Sequence, residues 1–390
     1  MAISGGIYDH RQFIEDKDLP QKLYEKARKA ALDGRFRIPD TLSNTLDNHG
    51  IAGIIIDPEH ILIPLSKGRT RLNLRRDTAL YNSHLNDQAF ETIARSLAEG
   101  VGISTTARIQ NVDKKTVLLV LAKASEHVAK IDEALLRNLF VSECQLDEMW
   151  SFIGKKEKNL DAIEKMQGIL GDAWIWIAFD AVNKVFLAAQ VGKRTLPWAV
   201  GLVNEVKRVT SSMPLLFSSD QLSHYPNALL QVYGKKVYPP RKPGPGRKPN
   251  PRLVPPDNLL YAQVVKQYKE NRIFKVTRKI IFGDAEKVDE ILANSPVSQK
   301  INTSYVERGN GTIRHLNARC NRKTLRFSKI KVNHERQLKL SLAYYHLCSP
   351  HRTLTKRYGR STTPFMAAGM TDHIWSIGEM LRFPNKIHGI

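Results

Sequence analysis

Three carboxylates stand out by their settings. Asp147 lies in the strand-like run "ECQLDEMWSFIG", Asp220 ends the short apolar run "MPLLFSSD", and Glu307 sits in the helix-like run "TSYVERGNGTIRHL". Carboxylates at strand ends converge at one edge of a sheet, where the sites of open α/β folds lie. Gathered in one cleft they repel, and each raises the pKa of the others unless a cation neutralises them. Mg²⁺ or Mn²⁺ answers that need, since hard divalent ions take oxygen ligands and complete their shell with phosphate oxygens. Two such ions, about 3.5 to 4 Å apart, activate an attacking water or 3′-hydroxyl and stabilise the leaving oxygen of a phosphodiester. The expected cofactor is therefore a pair of Mg²⁺ or Mn²⁺ ions held by Asp147, Asp220 and Glu307. Glu148 competes with Asp147, and by the period-two rule points to the opposite face of the strand. Glu307 read alone would be a solvent-exposed helix residue paired with Arg308 or Arg314.

The charge distribution supports a polyanionic partner. The chain of 390 residues carries a formal net charge of +22. Residues 234–283 hold thirteen Lys or Arg against two acids, residues 304–360 hold fourteen against two, and the remainder is near neutral. Solubility needs no such concentration, whereas a binder of a long polyanion shows it. Glu307 is tolerable among these cations if a metal and a phosphate backbone are shared between them. Apolar runs such as "LLVLA" and "IWIAF" are far short of the roughly 20 residues a membrane span needs. The N-terminus lacks a signal-peptide pattern, so the expectation is an intracellular, cytoplasmic protein with no membrane partner. Cys144, Cys320 and Cys348 are too few for a four-cysteine zinc site and read as reduced core thiols.

Around the carboxylates the chain must supply elements to position them. Residues 1–85 contain a helix-like stretch, "DLPQKLYEKARKAALDGRF", and a hairpin-like one, "GIAGIIIDPEHILIPLSKGRTRLNLRR", without a recognisable motif. Residues 86–125 read as three short helices: Asp87 to Glu99, a second capped by Ser104, and a third capped by Asp113. That is a helix-turn-helix pattern, with Lys114, Lys115 and Thr116 on the first turn offered to a major groove. Three helices with short turns also occur in proteins that bind no DNA. A helical connector covers 126–141. From 142 the pattern is strand, hairpin turning at "DAVNK", helix over "LPWAVGLVNEVKRVT", strand, and a helix begun by Pro226, an α/β domain with a mixed sheet.

The stretch 238–258 has eight prolines in 21 residues and is expected to lack regular structure. Its basic core, with Arg241, Lys242, Arg247 and Lys248, could enter a narrow minor groove or form a stiff surface loop. "LLYAQVVKQYKENRIFKVTRKIIFG" reads as a helix followed by an apolar and cationic strand pair, and helices return over 303–345.

Here the chain resembles the DDE transposases with an RNase H-like catalytic domain, most closely the insertion-sequence-one family type. "CQLDEMWSFIGKK" is similar to that family's first-aspartate strand, "LLFSSDQLSHY" to its second, and "YVERGNGTIRHLNARCNRKTLRFSK" to its glutamate helix. The resemblance covers roughly residues 142–350, with "YYHLCSPHRTL" and "TTPFMAAGMT" similar to the closing segment of such domains. It implies Asp147, Asp220 and Glu307 as catalytic metal ligands, and Arg308, Asn310, Arg314 and Lys323 as DNA or active-site contacts. Trp150 and Phe152 are expected to pack the sheet. His224 and His346 are open between assisting the site and buried structural roles. Residues 1–140 hold no cysteine cluster, so the zinc ribbon of some family members is missing, and the Pro-rich insertion at about 234–258 is longer than a compact core requires.

The resulting expectation is an α/β chain, an RNase H-like mixed sheet flanked by helices and preceded by an all-α helix-turn-helix domain, with a tail over 351–390. Its function would be DNA transposition: double-stranded DNA ends bound, strands cut, and 3′-hydroxyls joined to target by a nucleoid-associated homodimer or higher oligomer. The competing readings are a non-catalytic DNA-binding regulator derived from such an enzyme and a structure-specific nuclease of the same fold.

Overall fold

The computed structural model describes residues 53–56, 61–64, 75, 77–240, 249–270 and 272–384. The chain divides into two compact units, residues 1–83 with 382–390 and residues 84–381. In the first, β1 (Gly53–Ile56) pairs antiparallel with β2 (Ile61–Pro64), as the hairpin-like pattern predicts. The helix expected in "DLPQKLYEKARKAALDGRF" lies outside the described residues.

The second unit opens with α1 (Asp87–Ala98), α2 (Ile103–Ile109) and α3 (Lys114–Leu135). Asn86 starts α1 by accepting from the Ala89 amide at 2.8 Å, satisfying one of the unpaired first-turn donors. Gly100 ends it at φ 81°, where an added Cβ would also lie 2.9 Å from the His315 carbonyl oxygen. Ser104 does not cap α2, which begins one residue earlier behind Gly102. Asp113 precedes α3 but makes no side-chain capping bond. α3 runs on into the expected connector as far as Leu135, because its apolar stripe of Val117, Leu121, Ala124, Val128 and Ile131 meets no Gly or Pro. These helices dock on a later helix of the same unit: the Gln337 amide donates to the Leu97 carbonyl at 2.7 Å and Arg336 pairs with Glu126 at 2.9 Å.

The sheet is built from β3 (Glu143–Ile153), β4 (Gly171–Asp180), β5 (Phe186–Gly192), β6 (Leu216–Ser219), β9 (Tyr261–Lys269) and β10 (Arg272–Phe282). Their order is β10-β9-β6-β3-β4-β5, with β3, β6 and β9 mutually parallel along the row and the other pairs antiparallel. A short α4 (Ala162–Gln167) lies between β3 and β4. α5 (Leu196–Val209) and α6 (His224–Tyr233) lie along one face, where Trp176 meets Tyr225 edge-on with ring centroids 5.8 Å apart. α8 (Ser304–Leu316) and α9 (Lys331–Leu347) cover the other, burying Val306, Ile313, Leu338 and Leu342 against Met149, Ile175, Ile177, Phe179 and Phe186. Gly309 lets α8 approach closely, since a Cβ there would lie 3.2 Å from the Phe186 ring. Each fully buried side chain of this set is worth roughly 1.5 to 3 kcal/mol of transfer free energy. α7 (Ala285–Ala293) packs Val288 and Leu292 on Leu216, Leu260 and Val264. α10 (Arg352–Tyr358), α11 (Pro364–Ala367) and α12 (Ile377–Arg382) close the chain.

A six-stranded mixed sheet flanked by helices agrees with the α/β expectation and is compatible with an RNase H-like architecture. Two expectations are corrected. β8 (Arg252–Val254) pairs with β7 (Lys235–Val237), so part of the Pro-rich stretch is regular: Pro251 and Pro255 flank the strand rather than interrupt it. The helix expected at the start of 259–283 is strand β9 instead, because Ala262 and Val264 are buried beside β6 and tertiary pairing overrides local pattern. Pro226 lies in the first turn of α6, which begins two residues before it. Phe152 is buried between Trp150 and Phe327, at centroid distances of 5.6 and 5.2 Å. Cys144 and Cys320 are buried and Cys348 half-buried, all as free thiols. Among the described residues no helix is long and apolar enough to cross a membrane.

Candidate metal centre

Strand register brings the first two acids together. Leu146 of β3 is paired in parallel with Ser219 of β6, so Asp147 and Asp220 are the next residues on adjacent chains at one level. β6 ends at Ser219, so at that level β3 has a strand partner on the β4 side alone. The open side lets Glu148 as well as Asp147 approach Asp220. One carboxylate oxygen from each of Asp147, Glu148 and Asp220 lies within 4.8 Å of the other two.

The three are held from different directions. Asp147 accepts from the Asn310 side-chain amide of α8 at 2.6 Å. Asp220 accepts from the Leu222 backbone amide at 3.0 Å, and Ser219 beside it bonds the Tyr261 hydroxyl at 2.7 Å. Glu148, on the other face as the period-two rule requires, accepts from Arg194 Nε at 3.0 Å and from the Tyr225 hydroxyl at 2.9 Å. Arg194 is fixed in turn over the Trp174 ring, 4.6 Å from its centroid.

Crowded acids in a partly dry site resist ionisation. Burial first, then the charges of Glu148 and Asp220, pushes Asp147 up to about 7, against the opposing hydrogen bond from Asn310. Burial and the Asp220 charge raise Glu148 as well, while Arg194 and Tyr225 pull it back. Three such oxygens fit a hard divalent cation, whose charge would offset the repulsion and favour the ionised forms.

Glu307 stands apart from this group. It lies in the first turn of α8, about half exposed, paired with Lys266 of β9 and accepting from the Thr303 hydroxyl at 2.7 Å. The same helix nevertheless reaches Asp147 one turn later through Asn310. α8 is anchored there by Gln145 of β3, whose side-chain oxygen accepts from the Tyr305 and Val306 amides at 3.1 and 2.9 Å.

The expected DNA contacts are scattered. Lys114 and Lys115 are exposed on the first turn of α3, with Thr116 half-buried; Arg308 and Lys323 are exposed and Arg314 half-buried. Asn310 is 7% exposed and engaged with Asp147, so it positions a carboxylate rather than facing solvent. Arg241, Lys242, Arg247 and Lys248 lie outside the described residues. His346 is buried and accepts from the Phe186 amide at 3.0 Å; burial drives it down to about 3, which fits a neutral core role. His224 begins α6 with its ring 6.5 Å from that of Trp176.

The sequence reading missed Arg194, Tyr225 and Lys266, and set Glu148 aside. The doublet "DE" at 147–148 was the available signal. What it lacked was the early end of β6, which decides whether both side chains can meet Asp220.

No family model matches this chain, and no curated protein matches it. Among solved structures, the Mos1 transposase paired-end complex with left transposon end is similar at 11% identity, over 58% of this chain and 76% of that one, with a TM-score of 0.16. A likeness of that size carries no argument about function.

Proposed function

We propose that the chain is a DNA transposase of the DDE type, which binds element ends and catalyses divalent-metal-dependent strand cleavage and strand transfer. The observation that carries the reading is the meeting of the Asp147 and Asp220 carboxylates just past the last β3–β6 register pair, with Glu148 beside them. The two cation-rich C-terminal segments give that group a polyanion to act on.

In this reading Asp147 and Asp220 hold the metal, and Asn310 fixes the Asp147 carboxylate. Glu307 becomes the third acid when a phosphate draws Lys266 away from it and frees its side chain to turn toward Asp147, with the first turn of α8 kept in place by Gln145. Glu148 is the second choice for that place, favoured by its position within 4.8 Å of both aspartates. Divalent ions held there supply an activated water or 3′-hydroxyl and charge neutralisation at the phosphodiester. Arg308, Arg314 and Lys323 seat the backbone that the acids alone would repel, and the first turn of α3 reads the duplex. Joining two ends requires two sites, hence a dimer or larger assembly on paired DNA.

The test is incubation of the purified chain with a duplex carrying its element's terminal repeat, with and without Mg²⁺. Metal-dependent nicking followed by joining of the new 3′ end to a second duplex is the expected result. Cleavage without joining would place the chain among structure-specific nucleases. Binding without either reaction would make it a DNA-binding regulator.

A further inference from the structure

The edge of the sheet runs on past the acidic group as a ribbon that stays in contact with the body of the protein at Val265 and Lys266 and is exposed beyond them. Gln263 of β9 is level with Ser219, so Val264 is level with Asp220 and five residues, 265–269, extend beyond it. At about 3.4 Å per residue that is roughly 17 Å of strand. β9 is paired there with β10 alone, and β10 is the outermost strand. Gln267, Lys269 and the whole of Arg272–Val276 are exposed, so both faces of the distal ribbon meet solvent.

An isolated two-stranded ribbon is marginal in water, and an open edge invites unwanted pairing. This one nevertheless carries apolar side chains outward: Ile273 is 53% exposed and Phe274 71%. Phe274 is the extra residue of a β-bulge, since Ile273 pairs with Tyr268 and Lys275 with Gln267. Bulges re-aim side chains. The distal ribbon carries Lys269, Arg272 and Lys275 against a single acid, Glu270, at the turn. Of the ribbon's cations, only Lys266 is drawn into an ion pair among the described residues.

We propose that the β9–β10 ribbon is a DNA-tracking arm: Lys269, Arg272 and Lys275 follow the phosphates of a duplex leaving the acidic group, and Phe274 packs on its sugars and base edges. Charge complementarity selects the occupant. A second copy of a chain with net charge +22 would meet like charge here, whereas nucleic acid supplies the opposite sign along the ribbon's length. The choice of DNA rests on the reading of the acidic group given above.

The experiment measures binding of the full chain to a fluorescent duplex over a salt series, without metal, for three proteins: wild type, Lys269→Ala/Arg272→Ala/Lys275→Ala, and Phe274→Ala. The triple variant should flatten the slope of log affinity against log salt by two to three units, about 0.9 for each lost phosphate contact. Phe274→Ala should weaken binding about tenfold with the slope unchanged. Unaltered thermal melting of both variants shows that the fold is kept. Wild-type affinity and slope in the triple variant would overturn the arm. So would a triple variant that binds DNA normally but no longer self-associates or binds anionic vesicles as the wild type does. Metal-dependent cleavage, assayed separately, distinguishes the two ideas: its absence in wild type removes the catalytic reading while a flattened salt slope keeps the arm.

Discussion

The strand half and the helix half of the acidic site are built on different principles. Asp147 and Asp220 each directly follow the last registered pair of β3 and β6, Leu146 with Ser219, so the sheet sets their spacing. Glu307 is placed by side chains, a half-exposed ion pair with Lys266 and a bond from Thr303. A register cannot slip without turning every side chain to the wrong face. An exposed ion pair is worth at most about 1 kcal/mol and yields readily to a phosphate. The two aspartates are therefore the permanent half of the proposed site, and Glu307, outside their cluster, is its conditional half.

The largest expected effect strikes the permanent half. Asp147→Asn should lower metal-dependent cleavage by at least about 1,000-fold, with DNA affinity nearly intact; full activity would remove Asp147 from the site.

Substitution of the conditional half sharpens the contrast. Glu307→Gln should also abolish cleavage, while Glu148→Gln should retain part of it and destabilise the fold by about 1 to 3 kcal/mol, since Arg194 loses its buried partner. The opposite ranking in a cleavage assay would assign the third place to Glu148.

The same aspartate makes a prediction about stability. Because its folded pKa of about 7 exceeds the unfolded value near 4, the metal-free fold binds an extra proton between those values. Its contribution is fully present below pH 4 and lost as pH rises through 7. Metal-free Asp147→Asn should therefore lack that decline and be more stable at pH 8, by up to roughly 4 kcal/mol. Parallel melting curves for the two proteins from pH 4 to 8 would break the argument. Mg²⁺ should raise the wild-type melting temperature at pH 8 and leave the variant unmoved.

A smaller effect is expected at a distance from the acids. Lys114→Ala/Lys115→Ala should weaken DNA binding and reduce the salt slope by up to about 2; an unchanged slope would withdraw the first turn of α3 from the interface. Smallest of all, Lys266→Ala should change thermal stability by less than about 1 kcal/mol.

Much of this was legible along the chain. Alternation marked β3, the apolar runs either side of "DAVNK" marked the β4–β5 hairpin, and the buried run before Asp220 marked β6. The expected span Asp87 to Glu99 matches α1 to within one residue, because its ends are set by local chemistry, the Asn86 cap and the positive φ of Gly100. The start of α6 and the cap of α2 were off by one or two residues, because helix ends depend on bonds the neighbours allow.

What the sequence by itself determined is the chemistry available: three acids in recognisable settings, two basic segments, and the local elements around them. Only the tertiary structure decided which acids meet. β9 became a strand because β6 offered it a partner, Glu148 joined the group because β6 stops at Ser219, and Glu307 was claimed by a lysine 41 residues earlier. Local propensity is written in near neighbours. Register, strand length and long-range ion pairs belong to segments that are distant in the chain and adjacent only once folded.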